Sequence, residues 1–311
     1  MSKILIIDDV YESLVNGLLA AGHEVYYEPE ILGIDVCTRC ADLVVDGLIV
    51  RSKLQIDDTF FSLVPSLKWI GRAGAGVDNI DEKSAVERGI KLFHAAGANA
   101  DSVAEHVMGM LLAFRHKLLS SHISVISGQW NREGHRGFEL KGKTIGIIGY
   151  GYTGSALARR LRGFDVNILA YDRFKQGFGN ECVREVDFTE VISHADVISF
   201  HVPLTELTRN WVDENFILGC KNGVILINAS RGEVFDIQSL KSSFDEGKIG
   251  GLILDVYPQE PPLKADNELS QYFQQLCKNS NVMFSPHVAG WSQESYQNIS
   301  NVLLSKILTD I

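Results

Sequence analysis

Short apolar runs and amphipathic stretches alternate from one end of the chain to the other. In the first third, runs rich in β-branched and aliphatic residues at 3–8, 23–28, 47–50, 68–71 and 90–94 read as strands. Helix-period stretches fill the intervals, the pattern of parallel strands joined by crossover helices. Residues 100–126 read as one long helix, apolar on nearly every side through Val103, Val107, Met110, Leu111 and Leu112. A helix that apolar belongs between layers or domains. A polar, irregular stretch follows at 127–141, with Trp130, Asn131, Arg132 and His135. A second alternating series opens at 143–149 and gives strands at 165–171, 196–200, 223–228, 250–254 and 281–285. The last segment, 291–311, reads as a helix that returns to pack on the first domain. The fold class expected is α/β, with two doubly wound parallel-sheet domains.

Length and composition agree with that reading. A chain of 311 residues is long enough for two domains with a core each, and 45% apolar with 22% charged residues is a globular composition. The formal net charge of −10 argues against nucleic acid or an anionic membrane as main partner, since both need a basic footprint. It also means that an anionic substrate must be met by a local cluster of Arg or Lys. The N-terminal apolar run stops at Asp8, too short for a signal-peptide core, and no stretch reaches the roughly 18 apolar residues of a membrane span. A cytoplasmic location is the simplest expectation. Cys37, Cys40, Cys182, Cys220 and Cys277 are odd in number and scattered, which gives no disulfide framework. The C-x-x-C at Cys37 and Cys40 has no second ligand pair at metal-site spacing, so ordinary buried thiols and no metal are expected.

Gly149-Tyr-Gly151-Tyr152-Thr153-Gly154 is a G-x-G-x-x-G between a strand at 144–148 and a helix at 155–161. In that setting the first glycine permits a tight turn, the second lets the backbone approach a pyrophosphate, and the third lets helix and strand pack closely. The helix N-terminus offers free N–H groups and a positive dipole end to phosphates. Asp172 follows at about the 20-residue spacing of an acid that bonds a ribose diol, which favours NAD over NADP. Arg173 beside it keeps NADP open. A second cluster, Gly71-Arg72-Ala73-Gly74-Ala-Gly76, has Asn79 in place of a third glycine and no ribose acid, so it reads as a turn or a substrate-facing loop.

Three polar clusters follow expected strands of the second domain: Asn228-Ala229-Ser230-Arg231, Asp255-Val-Tyr-Pro-Gln-Glu260 and Ser285-Pro-His287-Val-Ala289-Gly290. Oxidising an alcohol to a ketone needs a base, a cation for a carboxylate and a hydride acceptor. Arg231 suits a carboxylate because its planar fork makes two bonds to it. His287 suits the proton because its pKa lies nearest working pH, with Glu260 fixing its tautomer. Taken singly, the three could be a surface charge, a loop carboxylate and a structural histidine. Their chemical complementarity favours the catalytic reading. His201, after the strand at 196–200, is the rival base.

These pieces, with Arg72–Asp81, Leu254–Pro261 and the loop at Gly149, resemble the D-isomer-specific 2-hydroxyacid dehydrogenases over nearly the whole chain. The resemblance implies catalytic roles for Arg231, Glu260 and His287. It implies NAD contacts from Gly149, Gly151, Tyr152, Thr153, Gly154, Asp172, Val202, Pro203, Ala229, Ser230, Asp255, Ala289 and Gly290, with Asp255 at the nicotinamide. It further implies a homodimer and a Rossmann-type cofactor domain (98–287) inserted in a flavodoxin-like substrate domain (1–97 with 288–311).

Within the family the Gly71–Asp81 segment most resembles D-3-phosphoglycerate dehydrogenases, which make the first oxidation toward serine biosynthesis. That implies substrate contacts from Arg51, Ser52, Arg72, Ala73 and Gly74, with Arg132 reaching in from a partner subunit. A reductase of glyoxylate, hydroxypyruvate or another 2-keto acid is the alternative, and an NAD-sensing corepressor-like protein is a distant one. The chain departs from longer relatives in ending near Ile311 without an appended regulatory domain, and in Trp291, where many have a small polar residue.

Overall fold

The computed structural model describes residues 1–264 and 268–311. It contains two compact units, Met1–Asn99 with Trp291–Ile311, and Ala100–Gly290. Residues 288–290 thus fall in the second unit, past the boundary expected after His287. The reason is local: the N–H groups of Val288 and Ala289 bond the Asp255 carboxylate.

The first unit runs β1 (Lys3–Ile6), α1 (Glu12–Ala20), β2 (Glu24–Tyr27), α2 (Val36–Leu43), β3 (Gly47–Val50), α3 (Asp58–Leu63), β4 (Trp69–Arg72), α4 (Glu82–Glu87) and β5 (Lys91–His94). Its strands are all parallel, in the order β2-β1-β3-β4-β5, a doubly wound order of the flavodoxin type. Ile4, Leu5 and Ile6 of β1 and all of β3 are buried because helices cover both faces, so these positions are apolar on both sides. Leu5, Leu48 and Ile70 meet Val36, Cys40, Phe60 and Phe61 on one face, while Ile4, Ile6, Ile49 and Trp69 meet Leu14, Leu18, Leu303 and Ile307 on the other.

The second unit runs α5 (Ala100–Arg115), α6 (Leu118–Ile126), β6 (Thr144–Ile148), α7 (Tyr152–Leu161), β7 (Asn167–Tyr171), β8 (Val183–Glu185), α8 (Phe188–His194), β9 (Val197–Phe200), α9 (Glu214–Leu218), β10 (Val224–Asn228), α10 (Lys241–Asp245), β11 (Ile249–Leu254), α11 (Glu268–Leu276) and β12 (Val282–Phe284). Its parallel sheet has the order β12-β11-β10-β9-β6-β7-β8. The winding reverses between β6 and β9, where connections leave in opposite directions and open a crevice at the strands' carboxyl ends. The chain ends in α12 (Gln293–Asp310), started by a reciprocal Ser292–Ser295 cap and packed within the first unit, as its position after a complete second domain suggested.

Three expectations need correction. The long helical pattern is two helices: Lys117 takes a left-handed conformation (φ 52°), and the Phe138 N–H bonds the Arg115 carbonyl where the helix stops. Only α5 is buried in the way expected. Leu118, Leu119, Ile123, Val125 and Ile126 of α6 are exposed. The cofactor-type helix begins at Tyr152 rather than Ser155, so Tyr152, Thr153 and Gly154 form its first turn. Strand β8 went unread because its three residues are too short for any period, and its pairing with β7 defines it.

Candidate functional site

The crevice at the sheet's switch point begins with the glycine loop. Gly149 sits at φ +92°, and a Cβ there would lie 2.4 Å from the His201 carbonyl oxygen. A Cβ on Gly154 would lie 2.0 Å from the Gly149 carbonyl oxygen. Both glycines are therefore required by the protein's own packing. Gly151 differs: a Cβ there meets nothing within 4 Å. The space over Gly151, at the N-terminal end of α7, is where the backbone can approach a pyrophosphate. Beside it lies a cavity of about 170 Å³ lined by Gly149, Gly151, Asp172, Val202, Pro203 and Trp211, among others. Tyr152 is exposed in the first turn of α7.

Asp172 is engaged within the protein itself. Its carboxylate accepts from the N–H groups of Tyr150 (2.8 Å), Phe174 (2.9 Å) and Lys175 (3.0 Å), so it ties the loop after β6 to the turn after β7. A carboxylate has about four acceptor positions, which leaves room for a ribose hydroxyl. Arg173 lines the same cavity.

The second cluster is built at the ends of β10, β11 and β12. The Asn228 side chain accepts from Ser230 N–H (3.0 Å) and Oγ (2.8 Å) and donates to the Arg231 carbonyl (2.9 Å), which fixes the turn carrying Arg231. Ser230 is buried in that arrangement. Arg231 Nη1 donates to the Ser230 carbonyl (2.7 Å). Gly232 must be glycine, since a Cβ would lie 1.9 Å from the Tyr257 carbonyl carbon. Glu260 Oε1 accepts from Tyr257 N–H (3.1 Å), and Oε2 meets His287 Nδ1 at 2.8 Å.

That contact sets the charges. The hydrogen bond to Glu260 raises the His287 pKa above its ordinary 6.5 despite burial, helped by the Glu260 and Asp255 charges and opposed by Arg231. Burial alone would raise Glu260, but the His287 bond and charge, the Tyr257 N–H and Arg231 outweigh it and hold the carboxyl below 4.5. The signs follow for stability. The His287 contribution is full below 6.5 and lost as pH rises through its raised pKa. The Glu260 contribution is present above 4.5 and lost as pH falls through its lowered pKa. With Nδ1 engaged, Nε2 is the ring nitrogen left for chemistry.

Asp255 is the most deeply buried carboxylate of the cluster. It is 1% exposed, and its carboxylate accepts from Ser285 Oγ (2.5 Å), Val288 N–H (2.9 Å) and Ala289 N–H (2.9 Å). Those bonds tie the carboxylate to the turn that carries His287. Ala289 is buried, and its carbonyl accepts from Ser102 Oγ (2.7 Å), so it too serves the turn. The turn forces His287 to φ +56°, which costs a non-glycine residue about 1–2 kcal/mol. His106 of α5 completes the group at 2.9 Å from Ser285 Oγ. Sequence reasoning missed it, although a lone imidazole one turn before Met110 in a mostly apolar helix was a usable signal.

The rival base fares poorly. His201 is buried, bonds Ser199 Oγ at 2.9 Å, and burial pushes it down to about 4, too weak a base at neutral pH. Cys40 belongs to a core, its thiol pushed up to about 12 by burial.

In the first unit, Arg51 and Arg72 stand at the carboxyl ends of β3 and β4 as expected. The Arg51 guanidinium stacks on the Trp291 indole, 4.1 Å from the ring centroid, with Asp8 and Asp9 close by. Burial lowers its pKa and those two carboxylates oppose the shift. Trp291 thus has a defined partner. The Arg72 guanidinium lies over Gly74, where a Cβ would meet Nη1 at 1.4 Å. Ala73 is buried, and the N–H groups of Ala73 and Gly74 donate to the Val50 and Arg72 carbonyls. Ser52 follows Arg51 on the surface, and Arg132 lies in the exposed stretch after α6, in the other unit.

Comparison with known proteins adds independent findings. The D-isomer specific 2-hydroxyacid dehydrogenase NAD-binding domain matches residues 108–289. The chain is 34% identical over 308 residues to a D-3-phosphoglycerate dehydrogenase of Archaeoglobus fulgidus, covering 98% of this chain and 56% of that protein. It is 36% identical over 267 residues to a hydroxypyruvate reductase of Thermotoga maritima, covering 86% and 85% respectively. It therefore spans little more than half of the first relative and most of the second. The crystal structure of an Aquifex aeolicus D-lactate dehydrogenase complexed with NAD and lactic acid superposes with a TM-score of 0.84 at 25% identity, covering 99% of this chain and 94% of that one.

Two expected outcomes follow. Gly151→Ala should leave the thermal midpoint unchanged yet weaken NADH binding, measured by fluorescence titration, at least tenfold. Gly154→Ala should lower the midpoint as well, and equal midpoints for the two variants would contradict the division of roles. Glu260→Gln should bring the His287 ring titration, followed by NMR, down toward its ordinary value. An unmoved titration would mean that the 2.8 Å contact does not govern the imidazole.

Proposed function

Because the chain belongs to the D-isomer specific 2-hydroxyacid dehydrogenase family, we propose that it moves a hydride between NAD and C2 of a small D-2-hydroxy acid. The observation that carries this reading is the His287 Nδ1–Glu260 Oε2 contact of 2.8 Å in the same cluster of strand-end loops as Arg231. The glycine loop and its cavity supply the rest. Bound NAD supplies the hydride acceptor at its nicotinamide.

The roles follow from geometry and charge. Arg231 holds the substrate carboxylate through its planar fork. His287 Nε2 takes the hydroxyl proton as the C2–H bond yields its hydride and C2=O forms. Glu260 holds the ring in the correct tautomer and stabilises the imidazolium. In the reducing direction the protonated His287 returns the proton, and its raised pKa keeps that form populated to higher pH.

For the substrate we propose 3-phosphoglycerate, oxidised to 3-phosphohydroxypyruvate in the first step of serine biosynthesis. Its phosphate needs a cation other than Arg231, and Arg51 and Arg72 at the ends of β3 and β4 are the residues for it. A second reading, reduction of unphosphorylated glyoxylate or hydroxypyruvate, is favoured by the state of Arg51, stacked under Trp291 with Asp8 and Asp9 beside it. The chain is also proposed to form a homodimer. Leu118, Leu119, Ile123 and Ile126 of α6, with Trp130 beyond it, leave apolar surface that a second copy would cover. No helix among the described residues is long and apolar enough to cross a membrane, and a cytoplasmic enzyme is the proposed setting.

A spectrophotometric panel at about 340 nm, the nicotinamide band, tests the reading with 3-phosphoglycerate, hydroxypyruvate, glyoxylate and pyruvate. A charged hydrogen bond contributes about 1.5–3 kcal/mol. Arg72→Ala should therefore lower kcat/KM on the phosphorylated substrate about ten- to a hundredfold and leave hydroxypyruvate almost unchanged. Equal losses on both would remove the phosphate assignment and leave the unphosphorylated reading.

A further inference from the structure

His287 is held by its backbone as much as by Glu260. Its own N–H bonds the Asp255 carbonyl (2.8 Å) and the Ser285 carbonyl (3.1 Å). The next two N–H groups, Val288 and Ala289, end on the buried Asp255 carboxylate. A left-handed histidine persists only where its surroundings fix it, and these four bonds do so. The carboxylate is in turn held from α5. Ser285 has one hydroxyl proton, which goes to Asp255 Oδ1 at 2.5 Å, since a carboxylate outcompetes the Met110 sulfur at 3.4 Å. The Ser285 oxygen must then accept from His106 Nε2 at 2.9 Å, and the same nitrogen lies 3.5 Å from Asp255 Oδ1.

We infer that His106 is a positioning residue: through Ser285 it orients the Asp255 carboxylate, which clamps the Val288 and Ala289 amides and so aims the His287 ring at Glu260 and the reacting hydroxyl. Nothing in the mechanism above uses His106, and it is a quarter exposed, so packing alone does not account for an imidazole there. The inference rests on the reading of His287 as proton acceptor. It adds a fourth element, α5, to a cluster otherwise made from the ends of β10, β11 and β12.

The test uses the whole chain with His106→Ala, His106→Gln, Ser285→Ala and the His106→Ala/Ser285→Ala double variant. Small misplacements of a catalytic group lower turnover by up to about a hundredfold. His106→Ala should lower kcat about ten- to a hundredfold with the keto-acid KM and the NADH dissociation constant within a few-fold of wild type. His106→Gln, whose amide N–H reaches the same oxygen, should restore most of it. The double variant should be no worse than Ser285→Ala alone, because residues in one relay are not additive.

A second readout needs no turnover. The charged groups facing His287 among the described residues are Glu260, Asp255 and Arg231. When the clamp loosens, the ring leaves Glu260 and its NMR titration in His106→Ala should fall toward the ordinary value. Unchanged kcat with an unchanged titration would overturn the inference. So would additive losses, or a loss that His106→Gln does not restore and that tracks a lowered thermal midpoint. If the wild-type chain oxidised NADH with no 2-keto acid, the functional reading would fall, and the titration arm would still decide whether His106 aims His287.

Discussion

The second unit's polar cluster is organised by one buried carboxylate. Asp255, at the end of β11, collects a hydroxyl and two backbone N–H groups from the chain after β12. Burial of such a group is costly unless it is fully bonded, and here the bonding serves a purpose. It bends the chain after β12 so that His287 turns back toward the loop after β11, where Glu260 stands. Without that bend the sheet would end in two separate loops with no proton-transfer pair between them. The clamp also explains the left-handed backbone at His287, a conformation that its side chain would not choose.

Around that point the topology does the rest. The reversal of winding between β6 and β9 opens the only place in a parallel sheet where loops part rather than cross. The glycine loop lines it from one side and Val202 and Pro203 from the other. Two of the three motif glycines are there because the protein's own backbone crowds them, and only Gly151 is left open for a visitor. Arg231, Glu260 and His287 lie in the loops that follow three adjacent strands of the same sheet, β10, β11 and β12, which brings them side by side.

Much of this was legible in the sequence, for identifiable reasons. Fully buried parallel strands read as continuous apolar runs, and a glycine loop between a strand and a helix has few other uses, so the alternation and the loop at Gly149 stood out. The division of the 100–126 helix was not legible, because Lys117 has no glycine or proline to announce a left-handed residue. Exposed Leu118, Leu119 and Ile123 continued the apolar pattern across the break and hid it. The inward turn of Asp255 and the spent amides of Ala73 and Gly74 were also beyond reach, since motif spacing says where a residue stands in the chain and not which way its polar atoms are committed. Arg51 and Trp291 lie 240 positions apart by their numbers, and only the fold could pair them.

The central claim is that His287, held by Glu260, carries the proton that accompanies hydride transfer. The most direct measurement compares His287→Ala with wild type in steady-state NADH oxidation and in NADH binding. Turnover should fall by about 10²–10⁴, the range for a lost general acid–base group, while the NADH dissociation constant stays within a few-fold. Turnover within a few-fold of wild type, with binding intact, would contradict the account and send the search for the proton carrier elsewhere in the crevice.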